Sequence, residues 1–493
     1  MKRIGHYVDG QQVDGGDRVG PVYNPATGEQ TGEVALASAS DLETAVSAAQ
    51  KAQPGWRATP LSKRQDIMFK LRQIVTDRKE ELARIITAEH GKVVSDAAGE
   101  VSRGLENVDW CTNLMQQLKG DYSENVANGV DVHSVRQPLG VVACITPFNF
   151  PVMIPLWMAT TAIACGNAVI LKPSERDPSA ALWLAEAFAE AGLPAGVLNV
   201  VNGDADTVNA ILDHKAISAV SFVGSTPIAE KIYTRAAANG KRVQALGGAK
   251  NHMVVMPDAD LDSAADAAVS AAYGSAGERC MAVSVAVAVG EAGDALVEKI
   301  AERMPKLKVG DGTDPDSEMG PLITQAARDR VAGYVEGASG EGAKVVVDGT
   351  EQKFDNDGFF IGVSLVDDVK PGMKVYDDEI FGPVLSVVRV DSYDEAVDLI
   401  NANQYANGVA VFTRDGKTAR QFEFDIEVGM VGVNVPIPVP IGTFSFGGWK
   451  RSLFGDTHMY GAEGFNFYTR RKVVTTRWPE PSESQISLGF PTH

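Results

Sequence analysis

The stretch Gln137-Pro-Leu-Gly-Val-Val-Ala-Cys-Ile-Thr-Pro-Phe-Asn-Phe-Pro151 opens a run without a charged residue that continues to Leu171. By length alone it passes a count for a membrane span. Pro147, Pro151, Pro155 and the pair Gly166-Asn167 cut it into pieces too short to cross. It reads instead as a buried strand Val141–Ile145, a loop, a helix over 154–164 and a second buried strand over 168–171. Beyond Leu171 the alternation continues: a helix over 179–191, a strand over 198–201, a helix over 205–212, a strand over 219–223, a helix over 228–238 and a strand over 243–246. Apolar strands separated by helices predict an α/β fold whose parallel sheet is covered on both faces. Such sheets take ligands at the carboxyl ends of their strands, so residues 146–151, 172–176 and 224–226 share one rim.

The flanks extend this plan. Residues 1–35 read as short strands and turns, 41–52 and 61–88 as helices, and the region near 95–118 as a longer helix carrying Arg103, Glu106 and Trp110. Residues 122–136 alternate like a hairpin. A second α/β pattern runs from Met253 to about Trp449, and a Pro/Ser-rich tail, read as an exposed arm, ends the chain.

Composition narrows the function. The formal charge of −19 argues against nucleic acid or an anionic membrane as the main partner. The four cysteines, Cys111, Cys144, Cys165 and Cys280, form no CxxC pair, so neither a metal site nor a disulfide framework is expected. The first residues show no apolar core of an export signal, and a reducing cytoplasm is the expected location.

One cysteine stands apart. In Gly274-Ser-Ala-Gly-Glu-Arg-Cys-Met-Ala282 a thiol follows two glycines and a cation, between a helical run and an apolar strand. A thiolate is a nucleophile, and Arg279 is expected to favour it. The alternative is a structural cysteine in the core.

Five segments decide between these readings. Thr146-Pro-Phe-Asn-Phe-Pro151, Leu171-Lys-Pro-Ser-Glu175, Phe222-Val-Gly-Ser-Thr226, the Cys280 segment and Glu379-Ile-Phe-Gly-Pro383 resemble, in order and spacing, the aldehyde dehydrogenase superfamily. Gly248-Ala-Lys-Asn-His252, Gly277-Glu-Arg-Cys-Met281, Val433-Asn-Val-Pro-Ile-Pro-Val-Pro440 and Phe444-Ser-Phe-Gly-Gly-Trp-Lys450 are similar to its CoA-acylating methylmalonate-semialdehyde dehydrogenases. The resemblance implies a Rossmann-like NAD domain (1–120 and 140–248), an α/β catalytic domain (249–461) and a small oligomerisation element with the tail (121–139 and 462–493). It also implies a homotetramer, a dimer of dimers.

The resemblance assigns roles as well. Cys280 is the nucleophile, and the Asn149 amide with the Cys280 N–H is the oxyanion hole. Without it Asn149 reads as a loop cap. Lys172 and Glu175, with Arg176 nearby, would hold the adenosine ribose, and the acidic residue favours NAD over NADP. The plainer reading of that segment is a strand exit capped by Ser174. Gly224 and Ser225 would meet the pyrophosphate, Glu379 and Phe381 the nicotinamide half, and Thr146, Phe148 and Gly247 the cofactor's remaining surface. Glu379 is otherwise one more carboxylate in Asp377-Asp378-Glu379. Arg103 and Arg279 would bind the carboxylate of malonate or methylmalonate semialdehyde. Arg103 reads equally as a helical arginine paired with Glu100 or Glu106.

One departure bears on mechanism. Hydrolytic members carry a glutamate just before Leu-Gly-Gly, and here Ala245 stands there. A methyl group cannot activate water, so coenzyme A is the expected acyl acceptor. The alternatives are a hydrolytic enzyme whose base is elsewhere, such as Glu278, and a retired enzyme with a structural or binding role.

Overall fold

A computed structural model describes residues 1–479 and residue 486. The remainder of the expected tail lies outside the described residues.

The charge-free run forms the centre of an eight-stranded sheet. Val141–Ile145 is flanked by Ala168–Lys172 and Leu198–Val200 on one side and by Ile217–Val223 and Arg242–Leu246 on the other, all five parallel. Every residue of Val141–Ile145 and Ala168–Lys172 is buried, and each such aliphatic side chain contributes about 1.5–3 kcal/mol. The strand order reverses between Val141–Ile145 and Ile217–Val223. That reversal opens a crevice at the carboxyl ends, where doubly wound sheets bind ligands. The helix Met153–Ala164 is buried along its whole length, which explains its all-apolar sequence. No helix among the described residues is long and apolar enough to cross a membrane.

Three further strands join this sheet antiparallel, two of them among the short strands expected over residues 1–35 and the third, Leu453–Phe454, not expected. His6–Val8 pairs with Leu198–Val200, Gln11–Val13 pairs with His6–Val8, and Leu453–Phe454 pairs with Arg242–Leu246. They are two or three residues long, too short to show an alternation. The helix expected over 61–88 is two helices, Leu61–Asp77 and Lys79–His90, broken at Arg78. The one near 95–118 is Val94–Thr112 followed by a short turn, Leu114–Gln117.

A second sheet of seven strands has Asn251–Val255 and Val283–Val289 near its centre, with Val384–Val390 and Gly408–Phe412 as their parallel neighbours and Met430–Val433 beyond the latter at the edge. A separate three-stranded sheet places Val130–Pro138 between Tyr122–Ala127 and Thr469–Arg477, the latter in register from Thr469 opposite Pro138 to Arg477 opposite Val130.

Candidate active site

A cavity of about 670 Å³ opens at the crevice. Cys280, Asn149 and all ten residues assigned above to cofactor binding line it: Thr146, Phe148, Lys172, Glu175, Arg176, Gly224, Ser225, Gly247, Glu379 and Phe381.

Local structure explains how each arrives there. Lys172 ends its strand with the ammonium buried, donating to the Gly203 carbonyl at 2.5 Å and to Glu175 Oε2 at 3.3 Å. Burial lowers its pKa, and the Glu175 carboxylate opposes that shift from a half-exposed position. The Thr146 backbone N–H is held by the Lys172 carbonyl at 3.0 Å, while its hydroxyl is buried without a protein partner. Ser225 is the N-cap of the helix Thr226–Ala238 and makes no side-chain cap bond; Pro227 carries no N–H and those of Ile228 and Ala229 donate to the Ser225 carbonyl, which leaves the Thr226 N–H at the helix end. At Gly247 a Cβ would stand 2.7 Å from the Arg451 carbonyl and 2.9 Å from Thr226 Oγ1, so only glycine fits. Phe148 lies under the Arg176 guanidinium at 5.2 Å and meets the Phe381 ring edge-on at 5.9 Å.

The Cys280 loop is strained. Ser275 and Ala276 both take φ of 53° and Gly277 takes 72°. Such left-handed conformations at non-glycine residues cost about 1–3 kcal/mol each and cluster at functional sites. They end the helix Leu261–Tyr273 abruptly and turn Cys280 toward the cavity. Asn149 Nδ2 donates to the Glu278 carbonyl at 3.0 Å, so its amide faces this loop. The Cys280 carbonyl is held on its other side by Asn251 Nδ2 at 2.9 Å and Asn407 Nδ2 at 3.2 Å. Neither asparagine stands out as functional in the sequence. Asn251 lies in a motif segment that names no role for it, and Asn407 carries no local signal at all.

The electrostatics limit one expectation. Burial pushes the Cys280 thiol up to about 12, and the Glu379 carboxylate adds to the rise. The N–H groups of Cys280 and Met281 oppose it, and Arg279 contributes least. Arg279 thus favours the thiolate as expected but is outweighed by burial, and its guanidinium pairs with Asp96. Burial likewise pushes Glu379 up to about 7, against the hydrogen bond from Ala249 N at 2.9 Å.

Glu278, the alternative base, is buried and pushed up to about 8. Its carboxylate lies 3.9 Å from His90 Nε2, with burial keeping that imidazole neutral. Arg103 pairs with Glu106 Oε1 at 2.8 Å and donates to the Val439 carbonyl at 3.0 Å. Neither arginine lines the large cavity, and each holds a carboxylate of the protein.

A prediction follows from the pair of raised groups. Glu379→Gln removes a negative charge beside the thiol, so the Cys280 pKa falls and thiolate forms at lower pH. Alkylation of Cys280 by iodoacetamide, followed against pH without cofactor, should shift to lower pH. An unmoved profile would show that Glu379 does not act on the sulfur.

Known proteins share this sequence and this fold. The aldehyde dehydrogenase family model matches residues 12–474. The chain is 53% identical over 496 residues to a malonate-semialdehyde dehydrogenase of Pseudomonas aeruginosa, covering 100% of both chains. It is 49% identical to malonate-semialdehyde dehydrogenase 2 of Geobacillus thermodenitrificans, over 97% of this chain and 99% of the relative. The crystal structure of methylmalonate-semialdehyde dehydrogenase from Oceanimonas doudoroffii superposes with a TM-score of 0.96 at 55% identity, covering 98% of this chain and 99% of that one. A Sinorhizobium meliloti protein crystallised in complex with NAD gives a TM-score of 0.97 at 52% identity, with 98% and 99% coverage. With a strained cysteine loop facing an asparagine amide at the mouth of a doubly wound sheet, and with this likeness along nearly its whole length, the chain belongs to the aldehyde dehydrogenase family.

Proposed function

We propose that the enzyme oxidises malonate semialdehyde, methylmalonate semialdehyde or both, and transfers the acyl group to coenzyme A. The observation that carries this reading is Ala245. Its methyl group is fully buried in an apolar layer with Val243 and Phe222, so no carboxylate activates water from that position.

The residues fit NAD. The unpartnered Thr146 hydroxyl, the open helix end at Ser225 and the Lys172–Glu175 pair offer donors and acceptors along one cavity. Bound NAD supplies the hydride acceptor. The protein does the rest. The Cys280 sulfur attacks the aldehyde carbon, its thiol proton leaving to solvent or a base. The Asn149 amide and the Cys280 N–H stabilise the resulting oxyanion. Loss of hydride from that adduct leaves a thioester on Cys280 with a carboxylate at the β-position. The carbon–carboxylate bond breaks to release CO₂, the electron pair passing into the thioester carbonyl as an enolate that is then protonated. The thiol of CoA displaces the acyl group, giving acetyl-CoA or propionyl-CoA and freeing Cys280.

Arg103 and Arg279 hold the substrate carboxylate in this reading, in exchange for Glu106 and Asp96. Arg103→Leu should lower kcat/KM for malonate semialdehyde about 10–100-fold, the loss of one charge-assisted hydrogen bond. Its effect on propanal should be small. Equal losses on both substrates would remove Arg103 from the carboxylate site.

A cytoplasmic tetramer fits the four free thiols and the open edges of the three-stranded sheet, where Tyr122 and Val473 are exposed. The deciding assay follows NADH from malonate semialdehyde with and without CoA and identifies the product by mass. Acetyl-CoA supports the proposal. Steady release of free acid would instead assign a hydrolytic enzyme, and no NADH in either arm a retired one.

A further inference from the structure

Asn149 sits in an irregular segment between the strand Val141–Ile145 and the helix Met153–Ala164. A hydrogen-bond donor aimed at a developing oxyanion works only if it is held within a fraction of an ångström. Pro147 and Pro151 stiffen the segment's own backbone, but they do not tie it to its surroundings. A buried ion pair from elsewhere does.

Lys92 Nζ donates to the Asn149 carbonyl at 2.5 Å and to Glu100 Oε2 at 2.9 Å. The other oxygen of Glu100 accepts from Val152 N at 2.8 Å and Met153 N at 3.1 Å. Those N–H groups open the helix Met153–Ala164, whose N-cap Val152 has no polar side chain to cap it. A carboxylate from a distant helix therefore caps this one and faces the positive end of its dipole. The Asn149 segment is thus tied at both ends, at its own carbonyl and at the helix that follows. The side chains involved are 1% exposed for Lys92 and 0% for Glu100. The ammonium also lies 4.5 Å from the centre of the Phe150 ring.

Two backbone features bring the pair into reach. Lys92 follows the helix Lys79–His90 directly after Gly91, which turns the chain with φ of 91°. Glu100 lies on the helix Val94–Thr112, where Gly104 allows close contact with Met153–Ala164. A Cβ at Gly104 would stand 2.7 Å from Leu156 Cδ1 and 3.3 Å from Met153 Cα. A fully buried ion pair is rarely the most stable filling for such a space. Fixing one loop explains its presence where stability does not.

We propose that Lys92 and Glu100 are positioning residues that set the placement of the Asn149 amide against the Cys280 loop, without touching substrate. This rests on the reading of Asn149 as the oxyanion donor, and the test separates the two.

The pair is replaced together, Lys92→Met with Glu100→Gln, so that no buried charge is left unpaired. The same change is made in an Asn149→Ala background. The readouts are the rate of the first NADH turnover at saturating NAD and semialdehyde, the NAD dissociation constant and the melting temperature. Asn149→Ala alone should slow the first turnover about 10²–10³-fold. The paired change should slow it about 10–100-fold with NAD affinity unchanged, and have little further effect when Asn149 is already alanine. Such non-additivity marks residues acting through one another. Equal slowing in both backgrounds overturns the proposal. An Asn149→Ala enzyme with an unchanged first turnover overturns the oxyanion reading itself, and the positioning role with it. Lys92→Arg keeps the buried charge if the double variant does not fold. It moves the donor against the Asn149 carbonyl, and should slow the first turnover only where Asn149 is present.

Discussion

Cys280→Ala is expected to lower NADH formation from malonate semialdehyde by at least about 10⁴-fold, as removal of a nucleophile does elsewhere. The reason is stoichiometric. Without the sulfur there is no tetrahedral adduct from which hydride leaves, and no thioester to pass on. The other groups that line the cavity stay in place, among them Lys172, Glu175 and the helix end at Ser225. NAD should therefore bind the variant with its usual affinity, measured by calorimetry. Cys111, Cys144 and Cys165 cannot substitute, since all three are buried in the core and none of them lines the cavity. Undiminished NADH formation would falsify the assignment of Cys280 as nucleophile.

The second large effect is the dependence on CoA. With CoA omitted, rapid mixing should show a burst of about one NADH per active site, from a single turnover through the thioester. The steady rate after it should be about 10²–10⁴-fold slower than with CoA, the usual worth of a general base acting on water. A thiol with a pKa of about 8.5 is already partly ionised near neutral pH and needs less help. The buried carboxyls nearest this chemistry do not restore that base in the same way. Glu379 is held by Ala249 N, and Glu278, which lines the same cavity, is set against the neutral His90. If the steady rate matched the burst without CoA, one of them would have to be activating water, and the inference from Ala245 would fall.

Much of the fold and of the site's lining is legible in the order of the residues. A charge-free run broken by three prolines and a Gly-Asn pair can only be buried in pieces, and the strand-helix alternation that follows dictates a parallel sheet with its ligand rim. Gly247 and Gly277 mark places where backbone packs too closely for a side chain. Residues 146–149, 174–176 and 224–225, with Lys172, Glu379 and Phe381, reach one cavity, the first three groups because each follows a strand end.

Charge is the part the chain order does not show. Arg103 and Arg279 look alike as sequence, each an arginine near acids; Arg103 finds Glu106 one turn along its own helix, as the sequence allowed, but the partner of Arg279, Asp96, is decided by which helix packs where. The rise of Cys280 to about 12 comes first from burial, a property of the whole packed molecule, and it outweighs the adjacent cation. Nothing in the sequence pairs Lys92 with Glu100, which reads there only as a possible partner of Arg103; folding buries both and brings them together at the Asn149 carbonyl. The sequence by itself determined the sheet, its rim and the residue types on it, because periodicity and glycine act locally. Only the tertiary structure decided which charges are free and where the amide of Asn149 points, because desolvation and ion pairing depend on neighbours that the chain places far apart.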